Sequence, residues 1–151
     1  MKKSAGILLF KSVNNQLEIF LVHPGGPFWK NKDLGSWSIP KGEYPDGENP
    51  LEAAKREFQE ETGTMLSGNF IELNPVKLKS GKLIHAWALQ SDIDAATITS
   101  NEFEMEWPPK SGKIKRFPEV DRGEWFTFET AVKKVNPAQV GLIEQLQKLL
   151  V

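Results

Sequence analysis

The sequence predicts an α/β (α+β) domain. Three observations carry that reading: two short apolar runs at the N-terminus joined by a polar turn, a well-capped amphipathic helix over residues 50–62, and a hairpin signal followed by a second capped helix. The 151 residues fit one compact domain, assigned to 1–151.

Residues 4–11 and 17–22 read as two strands, with Val13-Asn14-Asn15-Gln16 as the turn between them. A long loop follows over 23–36, carrying His23-Pro24-Gly25-Gly26-Pro27. Loops of that length in compact domains are often functional. Trp37-Ser38-Ile39 reads as a short strand leading into Pro40-Lys41-Gly42. For the helix over 50–62, Asn49 is a good N-cap, Pro50 suits the first helical position, and Glu52 stands where a capping box needs it. Gly63 is a C-terminal stop. At about 100° per residue, Leu51, Ala54, Lys55 and Phe58 share a face, which is expected to lie on the sheet.

Residues 69–79 and 82–90 flank Ser80-Gly81, a two-residue hairpin signal. Leu83, His85, Trp87 and Leu89 alternate with Ile84, Ala86 and Ala88, so both faces are mostly apolar, as in a central strand. Residues 91–112 are expected to be irregular, with strands at 113–117 and 122–127 and a short helix over 128–134. Asn136-Pro137-Ala138-Gln139 repeats the Asn-Pro start signal, with Gln139 at the capping-box position of a helix over 137–150.

Composition narrows the function. Lys plus Arg is 19 and Asp plus Glu is 20, a formal net charge of −1. Such a balance creates no global field for nucleic acid, so any anionic ligand must be drawn by a local cluster or a bound metal. The absence of cysteine excludes disulfides, thiolate zinc sites and cysteine nucleophiles. Lys2 and Lys3 precede an apolar run, but Lys11 breaks it and no small-residue cleavage site follows, so a signal peptide is rejected. No stretch reaches transmembrane length, and a soluble cytoplasmic protein is expected.

Glu57, Glu60 and Glu61 stand at i, i+3 and i+4 and share one helical face, with small Ala53 in the same arc. On an exposed helix each such pair repels by a few tenths of a kcal/mol, and a hard cation removes that repulsion. Oxygen-only ligands suit Mg2+ or Mn2+. The preceding segment, Lys41 to Glu48, is a Gly- and Pro-containing loop running into a helix N-terminus, where backbone N–H groups favour anions. Glu48 and Arg56 are placed to pair and hold that loop against the helix. A solvated acidic face is the plain alternative for the three glutamates alone; the loop and the arginine favour a metal and a phosphate.

These residues resemble the Nudix box: Gly42, then Glu48, then Arg56-Glu57-Phe58-Gln59-Glu60-Glu61-Thr62-Gly63-Thr64. The one departure is Thr64, where an aliphatic residue is usual. The resemblance implies an α/β/α sandwich with a mixed central sheet and a pyrophosphohydrolase acting on acid anhydrides. It implies that Glu57, Glu60 and Glu61 bind metal, that Glu57 also serves as general base, and that Arg56, Glu48 and Gly42 support them. It implies a backbone ligand at the Lys41 carbonyl. It also implies a further Glu before a Trp-containing strand: Glu119 is the candidate, with Glu102, Glu104 and Glu106 as competitors.

Trp37-Ser38-Ile39-Pro40-Lys41-Gly42 resembles the corresponding segment of diadenosine polyphosphate hydrolases, which implies a dinucleoside polyphosphate or nucleoside triphosphate substrate. ADP-ribose or a nucleotide sugar is the alternative within this chemistry, and a nucleotide-sensing module without turnover is the alternative outside it. Lys41 is a candidate phosphate contact, and His23, Lys30, Lys32, Lys79, Lys82 and Lys115 are candidates for a basic rim. Among the 5 tryptophans, Trp29 and Trp107 lie on loops and Trp37 beside the box, as candidate stacking surfaces for a base. Trp87 and Trp125, like His85, read as core. The expected partner is a small-molecule nucleotide, with the protein a monomer or homodimer.

Overall fold

The computed structural model describes residues 2–150; Met1 and Val151, the ends of the expected domain, lie outside them. Its strands are β1 (Lys3–Val13), β2 (Gln16–Pro24), β3 (Lys41–Glu43), β4 (Ile71–Glu72), β5 (Val76–Lys77), β6 (Leu83–Gln90), β7 (Glu102–Glu106), β8 (Ile114–Pro118) and β9 (Val120–Thr127). The helices are α1 (Pro50–Thr62), α2 (Phe128–Lys134) and α3 (Val140–Leu150).

Among the described residues, the main sheet runs β4-β6-β1-β2-β9, with β3 added to β1 and β5 to β6. It is mixed: β1 and β6 are parallel and the other pairs antiparallel. Both faces are apolar because both are covered. On one, Ile7, Leu9, Phe20, Trp87 and Leu89 meet Ala53, Ala54 and Phe58 of α1. On the other, Leu8, Ile19, Leu21, Ile84 and Ala86 meet Ala131 of α2 and Leu142, Ile143 and Leu146 of α3. The result is an α/β/α sandwich. Among the described residues no helix is long and apolar enough to cross a membrane.

A split in the sheet positions the site. β1 and β2 pair only from Phe10↔Ile19 to Val13↔Gln16, around a turn where Asn14 and Asn15 take φ of 53° and 64°. Beyond that they diverge, and residues 38–43 run through the gap. Ser38 exchanges both backbone hydrogen bonds with Val22, the Ile7 N–H reaches the Pro40 carbonyl at 3.1 Å, and Lys41 to Glu43 pair with Gly6 to Ser4. Gly6 permits this approach, since a β-carbon there would stand 2.6 Å from the Pro40 oxygen.

Several expected elements are redrawn. Trp37 and Ser38 make only isolated bridges, and the strand proper begins at Lys41. The run over 69–79 is two short strands because Pro75 has no N–H to offer β6. Residues 91–112 are not wholly irregular, since β7 pairs with β8 as a separate two-stranded ribbon. The last helix opens with a 3-10 turn over Pro137–Gln139. There Gln139 is no capping-box residue: its buried side chain accepts the Ile39 N–H at 3.0 Å and bonds Ser38 Oγ. His85 is not core; it is half-buried, stacked on Trp87 and bonded to Glu72 at 2.7 Å.

Candidate active site

Helix α1 spans the predicted residues because its ends are chemically marked. Asn49 Oδ1 accepts the Glu52 N–H at 3.1 Å. Gly63 takes φ of 80°, and its N–H closes on the Gln59 carbonyl at 2.7 Å. The buried face differs from the expected one. Ala53, Ala54, Glu57, Phe58 and Thr62 are buried, while Leu51 and Lys55 lie at its edge. Ala53, in the same arc as the glutamates, is therefore core. This rotation carries Glu57 inward to 8% exposure.

Glu57 lies directly against β3. A β-carbon on Gly42 would overlap its carboxylate, so any larger residue at 42 must push that side chain aside. From the same strand the Lys41 N–H donates to Glu61 Oε1 at 3.3 Å. Arg56 forks onto Glu48 with bonds of 3.1 and 3.0 Å and reaches Glu60 at 3.2 Å and Glu57 at 3.5 Å. That bidentate pair ties the loop before α1 to the helix.

Crowding shifts the proton affinities. Burial pushes the Glu61 carboxyl up to about 8, against the attraction of Lys41. Burial, then the neighbouring Glu60, pushes Glu57 up to about 7. The Lys41 ammonium is lowered by burial in spite of Glu61 and Glu57 beside it. The cluster thus holds more buried carboxylate than its own cations neutralise.

A chain of backbone hydrogen bonds adds another carboxylate. The Asn101 N–H donates to the Glu60 carbonyl at 2.8 Å, the Glu119 N–H to the Asn101 carbonyl at 2.8 Å, and the Gly25 N–H to the Glu119 carbonyl at 2.9 Å. Four segments are thereby stitched together: α1, both ends of the β7–β8 ribbon, and the loop after β2. Glu119 sits at the bend between β8 and β9, its carboxyl raised by burial and by the charge of Glu60. Its competitors lie elsewhere. Glu102 and Glu104 pair with Arg116, and Glu106 accepts the N–H groups of Lys110 and Gly112.

Oxygen-only donors, carboxyls held above their ordinary range and a glycine that clears space for one of them fit a hard divalent cation. Among the described residues no three His, Asp or Glu side chains are placed to hold a metal ion as they stand, and Arg56 engages Glu57 and Glu60.

The other candidates scatter. Trp37 offers no surface to a base: it is 1% exposed, donates Nε1–H to Asp33 at 2.7 Å and packs edge-on against Phe126. Trp29 is half-buried beside exposed Phe28, with the Lys32 ammonium 3.5 Å from the Phe28 centroid. Trp107 is half-buried at the end of the ribbon. His23 is a brace, not part of a basic rim. It is buried, with Nδ1 on Asp121 at 2.8 Å and Nε2 on the Lys32 carbonyl at 2.7 Å, and so pins the loop over 23–36. Lys82 pairs with Glu43 at 2.9 Å. A cavity of about 460 Å³ lies at the opposite end of the sheet, beside Phe10, Leu17, Gln90 and Phe128. It lacks the clustered charge this chemistry needs.

Sequence reasoning missed β7 and the backbone chain through Asn101. Glu102-Phe103-Glu104-Met105-Glu106 alternates with period two, and that was the available signal.

The sequence profile of the NUDIX domain matches residues 2–146. An octanoyltransferase of Myxococcus xanthus is 31% identical over 114 residues, 76% of this chain and 28% of that protein. The chain therefore spans little more than a quarter of that relative's length. A bis(5'-nucleosyl)-tetraphosphatase [asymmetrical] of Rattus norvegicus is 32% identical over 113 residues, 66% of this chain and 73% of that protein. Among solved structures, a C. elegans Ap4A hydrolase binary complex superposes with TM-score 0.66 and 19% identity over 99% of this chain and 98% of that one. The NUDIX domain of Shewanella oneidensis NrtR, complexed with ADP ribose, superposes with TM-score 0.68 and 16% identity over 99% and 88%. At these identities the two structures speak to fold.

Proposed function

The chain belongs to the Nudix family, and from that premise we propose that it is a divalent-metal-dependent pyrophosphohydrolase that cleaves a phosphoanhydride bond in a dinucleoside polyphosphate or nucleoside triphosphate. The observation that carries this is the gathering of Glu57, Glu60, Glu61 and Glu119 beside Lys41-Gly42, with three of those carboxyls raised.

Glu57, Glu60 and Glu61, with the Lys41 carbonyl, would hold Mg2+ or Mn2+; a divalent cation held there screens polyphosphate charge and acidifies a water. Arg56 Nη1 stands 3.5 Å from Oε1 of Glu57, and whichever Glu57 oxygen the cation left free would take the proton of the attacking water. The water oxygen bonds to phosphorus, the anhydride P–O bond breaks, and a nucleoside phosphate departs without a covalent enzyme intermediate. Lys41 offers its ammonium to substrate phosphate, and Glu48 keeps Arg56 in place. ADP-ribose or a nucleotide sugar is the second reading, favoured by the fold likeness to a domain complexed with ADP ribose.

The test is a Mg2+-dependent hydrolysis panel of dinucleoside polyphosphates, nucleoside triphosphates, ADP-ribose and nucleotide sugars, read by product identity. Release of nucleoside phosphates that stops on chelation supports the reading. A Glu61→Gln protein as active as wild type would remove the metal-site assignment.

A further inference from the structure

We propose that the β7–β8 ribbon is a substrate arm that receives the distal half of an extended polyphosphate substrate and so favours long phosphate chains over short ones. The proposal rests on the hydrolase reading above and deepens it.

Among the described residues the ribbon pairs with no other strand, and an isolated hairpin is marginal in water. It is held instead at its base, where Asn101 and Glu119 tie it to Glu60 and Gly25. Its register, Phe103↔Phe117 and Met105↔Lys115, puts those four side chains on one face. Glu102, Glu104, Glu106, Ile114, Arg116 and Pro118 take the other. The first face is turned toward the loop after β2, since a β-carbon on Gly26 would stand 3.1 Å from the Phe103 ring. Phe103, Met105 and Phe117 are half-buried, whereas the glutamates are exposed and two of them are paired across the ribbon by Arg116.

The acids are therefore confined to one face. The glutamates point away from the loop, and Lys115 stands with the apolar residues on the loop side. Lys115 is four residues from Glu119, roughly 13 Å at a strand's rise. A group bound there lies beyond a diphosphate seated at the carboxylates, yet it remains connected to them along the same arm. An anion flanked by an apolar group matches such a face, and the far phosphate and nucleoside of a dinucleoside polyphosphate have that character. The loop that Phe103 packs on repeats the combination, with the Lys32 ammonium over Phe28.

Steady-state kinetics with Mg2+ on diadenosine tetraphosphate and on ADP-ribose test the arm. Lys115→Glu is expected to raise KM for diadenosine tetraphosphate about tenfold, with kcat within about twofold and KM for ADP-ribose shifted far less. Lys115→Arg should restore KM, and Arg116→Ala, on the outer face, should match wild type. Thermal melts identify any variant that fails to fold. The arm is overturned if Lys115→Glu leaves KM unchanged, if it weakens both substrates equally, or if Arg116→Ala has the same effect. A wild-type protein that hydrolyses no member of the full panel above overturns the hydrolase reading instead. Calorimetric binding of diadenosine tetraphosphate to the same variants then decides the arm: a tenfold weakening by Lys115→Glu supports it, and unchanged affinity removes it.

Discussion

The carboxylate of Glu57 lies so close to Gly42 that a β-carbon there would overlap it. The strand entering the box and the helix carrying the acids are thus in contact at the atoms that matter. Gly42→Ala is expected to push Glu57 out of position and lower kcat by about 100-fold, the scale of an ångström-sized misplacement. Kinetics beside near-UV circular dichroism check this; full activity in a folded Gly42→Ala protein would show that the contact is dispensable.

Arg56 and Glu48 form a fork with two bonds of 3.0 and 3.1 Å. Lysine keeps the charge but cannot fork. Arg56→Lys is expected to weaken Mg2+ dependence about 10- to 100-fold, the usual effect of losing a group that orients ligands. A magnesium titration of initial rate reads it, and an unshifted half-saturation would contradict the orienting role.

Glu61 and Glu57 have carboxyls raised to about 8 and about 7. Below the unfolded carboxyl value of about 4.3 both are protonated in either state, and their effect on stability vanishes. Between there and about 8 the folded chain binds more protons than the unfolded one, so stability falls as pH rises. In chelator, the melting temperature should decline from about pH 5 to about pH 8, and Glu61→Gln should flatten the decline. Added Mg2+ should offset it at the alkaline end by binding the folded state. A melting temperature that climbs through this window in chelator would refute the burial of these acids.

Gln139 accepts the buried Ile39 N–H across the sheet, from the 3-10 turn to the segment that enters the box. Gln139→Leu leaves that donor unpaired, at a cost of about 1–3 kcal/mol. The melting temperature should fall by roughly 2–4 °C per kcal/mol. A variant as stable as wild type would mean that another acceptor replaces the amide.

The helix over 50–62 was legible because its determinants are local: Asn49, Pro50 and Gly63 act within one turn. The glutamate trio was legible for the same reason, since i, i+3 and i+4 share a face wherever the helix sits. The strands β1, β2 and β6 announced themselves by apolar runs. β7 did not, because alternating Glu and apolar residues at 102–106 looked like an acidic loop, although its partner strand was expected over 113–117. Trp37 misled because neighbouring the box in sequence is not facing it in space; its ring turns into the opposite core layer.

By itself, then, the sequence determined the acidic helix, its caps and the residue types fit for a hard cation, because each depends on neighbours within a few positions along the chain. Tertiary structure alone decided that Glu57 is buried against Gly42, that Glu119 stands beside Glu60, and that Gln139 holds Ile39. Those relationships join segments many residues apart. Their energies arise only when the split between β1 and β2 is filled and water has been displaced from the contact.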